Sequence, residues 1–302
     1  MLSMKVALLI ALAVFALLFV CFWAWSVQRS AAGKQSAQPV KFTFFEVFIG
    51  FITNFFDTLG VGSFATTSSI FKLKNVIEDE LIPGTLNVGH CLPTIVEAFI
   101  FVSIIQVDGT TLIAMIIASI LGAWLGAGVV SKWPRRTIQV CLGSALLVAA
   151  GLMFLSQTKL LPGGGEALGL TGTKLWFAII GNFVFGALMT LGIGLFAPCM
   201  ILVSLLGMNP RAAFPIMMGS CAFLMPVGSM RFIQTGRYSL RASIALFCGG
   251  IPGVLLAAFV VKSLPLEVVR WLVICVVIYT SIMLIRSAIV ERRREKNESA
   301  SS

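Results

Sequence analysis

Charge is scarce in this 302-residue chain: Asp, Glu, Lys and Arg together make up 11% of it, where a soluble domain carries about a quarter. That shortage argues against a water-soluble fold. Histidine is almost missing. His90 stands alone, which removes two-histidine zinc sites and the H-E-x-x-H motif of zinc hydrolases. The seven cysteines (21, 91, 141, 199, 221, 248, 275) lie in apolar segments and none forms a CxxC pair, so neither a disulfide framework nor a zinc site is suggested. No cofactor is expected. Acidic residues number 12 against 22 Lys and Arg, a net charge of +10. The basic residues sit in short loops and in the tail "ERRREKNESASS", the positive-inside pattern of a membrane protein rather than a nucleic-acid surface.

What the chain has instead is apolar length. Hydrophobic residues make up 58% of it, and the mean hydropathy is +1.00. Apolar runs fall at about 5–27, 43–71, 84–105, 110–130, 135–157, 174–207, 211–233, 239–262 and 266–286. An all-α polytopic membrane protein follows. The first run is long for a signal peptide and reads as a retained helix, with "SAA" at 30–32 leaving cleavage open.

Two runs are too long. As single helices, 43–71 and 174–207 would measure about 43 and 51 Å against a hydrocarbon core of about 30 Å. Both contain one phrase, "TLGVGSFATT" at 58–67 and "TLGIGLFAPC" at 190–199. The same offset of 132 places Pro83 on Pro215; an offset of 131 places "VVSKWP" (129–134) on "VVKSLP" (260–265) and Gly122 on Gly253. The chain therefore reads as an N-terminal helix and linker (1–42), a first repeat (43–157), a Gly-rich loop (158–173), a second repeat (174–286) and a basic tail (287–302). If both long runs cross, the repeats are parallel. If both are re-entrant, each repeat crosses three times and the repeats are inverted. With the tail inside, the crossing arrangement leaves 13 of the 22 basic residues inside, and the re-entrant one 16. Loop charge favours inversion.

A Gly-x-Gly within hydrocarbon interrupts a helix and frees backbone groups, which only protein or a water-filled cavity can satisfy. A helix restarting after Gly60 and Gly62, or after Gly192 and Gly194, presents N–H groups and a positive dipole end to an anion near the membrane middle. Pro198 suits such a first turn. Two half-helix ends facing each other across a pseudo-twofold axis form a transporter site. Close helix packing is the alternative use of these glycines.

The segments "TLGVGSFATTSSIFKL…LIPGTLNVGH" and "GNFVFGALMTLGIGLFAPCMILVSLLGMNPRAAFPIMMGS" resemble the two halves of the TauE/SafE sulfite exporter family, also called the 4-toluene sulfonate uptake permease family, over about residues 43–286. Ser63 and Leu195 stand where that family often has further glycine. The resemblance implies a multi-pass protein of a bacterial inner membrane. Its cargo would be sulfite, thiosulfate or a small organosulfonate, moved with the proton gradient.

Intramembrane polar residues cost about 2.5–3.5 kcal/mol each when charged and mark function by default. Asp57 precedes the phrase. It either caps the broken helix or takes a proton so that an anion can bind beside it, and its repeat counterpart is Met189. His90, with Asn87 one turn earlier, and Asn54, one turn before Asp57, are further substrate-site candidates. Thr66 and Thr67 offer hydroxyls, although such threonines commonly bond their own helix. In the second repeat Asn182, Cys199 and Ser220 supply polar contacts. Asp57, His90 and Glu97 are the proton-coupling candidates. Glu46 is expected to pair with Lys41 or face water, and Arg231 to anchor at the interface. The small-residue face "GAWLGAG" (122–128) packs within the protomer or supports a homodimer. The substrate class is a small sulfur-containing anion in a lipid bilayer, with no nucleic acid. A passive channel is the alternative. An intramembrane serine enzyme is disfavoured, because the repeat counterpart of Ser63 is Leu195.

Overall fold

The computed structural model describes residues 2–32, 43–130, 135–158, 165–189 and 195–301. Its helices are α1 (Leu2–Ala32), α2 (Phe44–Thr58), α3 (Ser63–Lys74), α4 (Ile82–Ile104), α5 (Gly109–Val130), α6 (Arg135–Gln157), α7 (Gly172–Met189), α8 (Phe196–Leu205), α9 (Ala213–Thr235), α10 (Leu240–Ser263) and α11 (Leu266–Ser301). Among the described residues there is no strand, and six helices are long and apolar enough to cross a membrane. The chain is an all-α, multi-pass membrane protein.

Each overlong run is broken in two. The first becomes α2 and α3, of 15 and 12 residues, rising about 22 and 18 Å. The second becomes α7 and α8, of 18 and 10 residues. The described helices form two compact units, Met1–Ile105 with Met218–Ser263, and Gln106–Met217 with Leu264–Ser302. Each unit therefore draws on both halves of the sequence.

In the first unit α2 opens with a capping box. Thr43 Oγ1 accepts from the Glu46 amide, and Glu46 Oε2 accepts from the Thr43 amide at 2.8 Å. The other carboxylate oxygen, Oε1, lies 2.9 Å from the Arg241 guanidinium, which also donates to Val76 O just beyond α3. One side chain thus holds both ends of the hairpin, so α3 returns to the level where α2 began. Glu46 is 2% exposed. It pairs with Arg241 and does not face water, because the fold brings the start of α10 to this corner; Lys41, the other partner expected, lies outside the described residues. In the second unit the segment before α7 meets the segment after α8 in the same way. The Asn209 amide donates to Ala167 O at 2.9 Å, and Ala167 bridges Met208.

Helix α2 packs on α10 in the first unit, and α7 on α5 in the second. Both interfaces close backbone to backbone, as small residues allow between membrane helices. A Cβ on Gly253 would collide with Phe51 O, and a Cβ on Gly122 would collide with Phe183 O. These are the same contact under the repeat offsets. One turn away the roles exchange: Gly50 lies against Leu246 O, whereas Asn182, at the matching position, donates to Met115 O at 2.6 Å. Gly122, the first residue of "GAWLGAG", is therefore used within its own unit.

Candidate functional site

The turn between α2 and α3 follows from its glycines. Gly60 adopts φ +96° and Gly62 φ +86°, a region costing other residues about 1–2 kcal/mol. The Gly60 amide donates to Asp57 O and the Val61 amide to Phe56 O, the double bond of a Schellman ending. Gly62 then caps α3.

Helix α3 begins against a carboxylate. Asp57 Oδ1 accepts from the Ser63 amide at 2.8 Å, and Oδ2 from the Ser63 hydroxyl at 2.9 Å. The positive end of α3 is thus met by an internal anion. Of the two roles open to Asp57, the cap is the one the geometry displays.

A buried polar cluster continues into α4. His90 Nδ1 lies 3.1 Å from Asn54 Oδ1, and Nε2 lies 3.1 Å from Thr67 Oγ1. Asn54 spends its amide N–H on Gly50 O at 2.7 Å. Its oxygen therefore faces the ring and needs a donor, so Nδ1 carries the proton. Nε2 of the neutral ring then accepts from Thr67. One turn further along α2, Thr58 Oγ1 lies 2.8 Å from Asn54 O and 2.7 Å from Glu97 Oε1. Phe64 tilts against the His90 ring. Asn54, Thr58, Thr67, His90 and Glu97 are all fully buried. Gly250 on α10 makes the room, since a Cβ there would press on Asn54 Nδ2 and Pro93.

The structure gathers Asn54, Asp57, Gly60, Gly62, Thr67, His90 and Glu97 in this one place. Thr66 bonds its own helix at Gly62 O and Ser63 O. Asn87 also turns away from the cluster: its side chain donates to Pro83 O, and its carbonyl accepts from Ser229 at 2.8 Å. In the second unit Asn182 serves the α5 contact. Pro198 and Cys199 are buried in the first turn of α8, where the Cys199 amide donates to Leu195 O. Ser220 is buried in α9. Gly192 and Gly194 lie outside the described residues. Arg231 is exposed near the end of α9.

Sequence reasoning passed over Thr58 and the capping role of Ser63. Thr58 did leave a signal: it opens the repeated phrase in both copies, as Thr58 and Thr190. The cluster itself is not repeated. Asn54, Asp57, Ser63 and Thr67 correspond to Gly186, Met189, Leu195 and Cys199, and His90 and Glu97 to Ala222 and Ser229, so the ionisable chemistry belongs to the first repeat. Among the described residues no three His, Cys, Asp or Glu side chains converge as metal ligands.

The family model described as sulfite exporter TauE/SafE matches residues 1–153 and 174–302. The match takes in α1 and the basic tail, and so corrects the narrower range of 43–286. The motifs that carried the resemblance cannot reach α1, where a plain apolar helix offers hydropathy and no pattern. Comparison with curated proteins and with solved structures gives no match.

Proposed function

Because the chain belongs to the TauE/SafE sulfite exporter family, we propose that it is a secondary transporter of a small sulfur-containing anion, sulfite or an organosulfonate. Transport proceeds by alternating access and is coupled to protons. The observation that carries this reading is the pair of broken hairpins, one in each unit, each with its two ends held together. A hairpin that returns to its own side adds no crossing. On this reading α4, α5 and α6 cross between the hairpins and the second repeat is inverted. The α8 N-terminus, which no side chain caps, has N–H groups suited to sulfonate or sulfite oxygens. Coupling is supported by the ionisable side chains His90 and Glu97, buried beside the first hairpin. A cytoplasmic C-terminus belongs to the same reading, which the basic loops and tail support.

Flux assays in proteoliposomes test this directly. Sulfite, thiosulfate and taurine are compared with acetate and phosphate, each with and without an imposed pH gradient. Uptake confined to sulfur anions and driven by the gradient is expected. Equal movement without a gradient, down concentration only, would make the protein a channel. Preference for carboxylates would discard the sulfur assignment.

A further inference from the structure

The two buried carboxylates of the first unit do not stand in equal surroundings. Asp57 lays each of its oxygens on a donor from Ser63, at the positive end of α3. As an anion it is fully served. Glu97 is fully buried in the middle of α4; its Oε1 touches Thr58, and its Oε2 has no hydrogen-bond partner.

The Thr58 hydroxyl decides what Glu97 can be. It owns one proton and has two oxygen neighbours at near-equal distance, Asn54 O at 2.8 Å and Glu97 Oε1 at 2.7 Å. A carbonyl oxygen only accepts. When the Thr58 proton serves Asn54, the short contact to Glu97 needs a proton from the carboxyl itself. When the Thr58 proton turns to Glu97, the carboxyl can be empty, and Asn54 O loses its second bond. The hydroxyl therefore answers to a proton on Oε1 of Glu97, and it does so at the last residue of α2, just before the Gly60 turn.

The neighbours supply no counter-charge. From α2, Asp57 is the group whose charge reaches Glu97. On α4 itself His90 is engaged with Asn54 and Thr67, and Cys91 is a buried thiol. From α1, Lys5 donates to Ile105 O at the C-terminal end of α4. On α3, Lys72 and Lys74 are exposed at its far end. Arg231 on α9 is exposed, and α10 carries no ionisable group between Arg241 and Lys262 except the exposed Cys248. Arg241 is committed to Glu46.

We propose that Glu97 is the residue that carries the coupling proton, with Thr58 as the hydroxyl that transmits its state to the hairpin turn, while Asp57 remains the fixed cap of α3. This rests on the transport reading above. In each cycle one proton binds the Glu97 carboxylate from the water on one side, is released as the same proton to the other side, and accompanies one anion; no other bond is made or broken. The proton moves the Thr58 bond, and with it the end of α2 that positions the turn.

The test uses the full chain in proteoliposomes enclosing a pH-sensitive dye, with a sulfite gradient as the driving force. Proton movement per sulfite is read beside labelled-sulfite exchange at symmetric pH, which separates a coupled carrier from a dead one. In E97Q, proton movement per sulfite is expected to fall at least tenfold and the pH dependence of exchange to flatten. In D57N, protons per sulfite stay at the wild-type value even if the rate drops. If E97Q does not fold, T58V carries the test, with the pH midpoint of transport expected to move by more than half a unit. Wild-type proton coupling retained in E97Q, or an unmoved midpoint in T58V, overturns the assignment alone. Sulfite movement without protons in the wild type overturns the coupled-transport reading together with it.

Discussion

Arg241 offers the sharpest test of how the first hairpin is held. Its guanidinium lies 2.9 Å from Glu46 Oε1, and the two side chains are 42% and 2% exposed. Glu46 Oε2 is occupied by Thr43, so Oε1 depends on Arg241. Replacing Arg241 with methionine keeps the apolar stem and strands a buried carboxylate oxygen. Breaking a fully buried pair costs about 3–5 kcal/mol; with the arginine half in water, about 2–3 kcal/mol is expected. An internal control lies four residues away. Arg237 faces Glu80 at 3.7 Å with both side chains mostly exposed, and R237M should cost about 0–0.5 kcal/mol. Thermal unfolding of the purified protein in mild detergent, followed by tryptophan fluorescence, should rank R241M well below R237M and the wild type. Adding E46Q to R241M should recover at least half of the loss, since glutamine still serves the capping box and brings no charge. R241M melting together with R237M would refute the claim that this pair joins the two ends of the hairpin.

Other expectations follow from single contacts. Asp57→Ala leaves the Ser63 amide and hydroxyl buried without an acceptor and should cost about 2–4 kcal/mol, whereas Asp57→Asn keeps one acceptor and should cost about 1 kcal/mol; equal melting of the two would remove the cap. Gly122→Ala and Gly253→Ala should both destabilise in a detergent melt, because each Cβ meets a backbone carbonyl, while Gly151→Ala, with open space around it, should be neutral or stabilising by about 0.5–1 kcal/mol. Replacing Gly60 and Gly192 together with leucine should abolish sulfite flux while leaving membrane insertion intact, as judged by yield in the membrane fraction; normal flux would sink the anion-cradle reading.

Much of the fold was legible because hydrocarbon imposes local rules. Runs of apolar residues must be helices, since backbone groups find no partners in lipid. Two runs too long for the bilayer had to break, and the first Gly-x-Gly marked where the α2–α3 turn falls; the second lies outside the described residues. Loop charge pointed to re-entrant hairpins, and the ties from Arg241 to Glu46 and Val76, and from Ala167 to Asn209, agree with that reading for described residues of both hairpins. Asp57, His90, Asn54 and Glu97 were visible as polar residues where polarity is costly. What they bond to was not visible. Asn87 and His90 are neighbours on one helix, yet the Asn87 side chain turns back to Pro83 O while His90 meets Asn54 and Thr67, and only packing assigns each side chain its partner. The pairing of Thr58 with Glu97 spans 39 residues, and that of Glu46 with Arg241 spans 195. No local pattern encodes such pairs, because they exist only once α2 has docked on α4 and α10. Composition and length determined that this chain lives in a membrane, and where its first hairpin turns; tertiary contact alone decided that Asp57 caps α3 with both oxygens while Glu97 sets one oxygen on Thr58 and leaves the other without a partner.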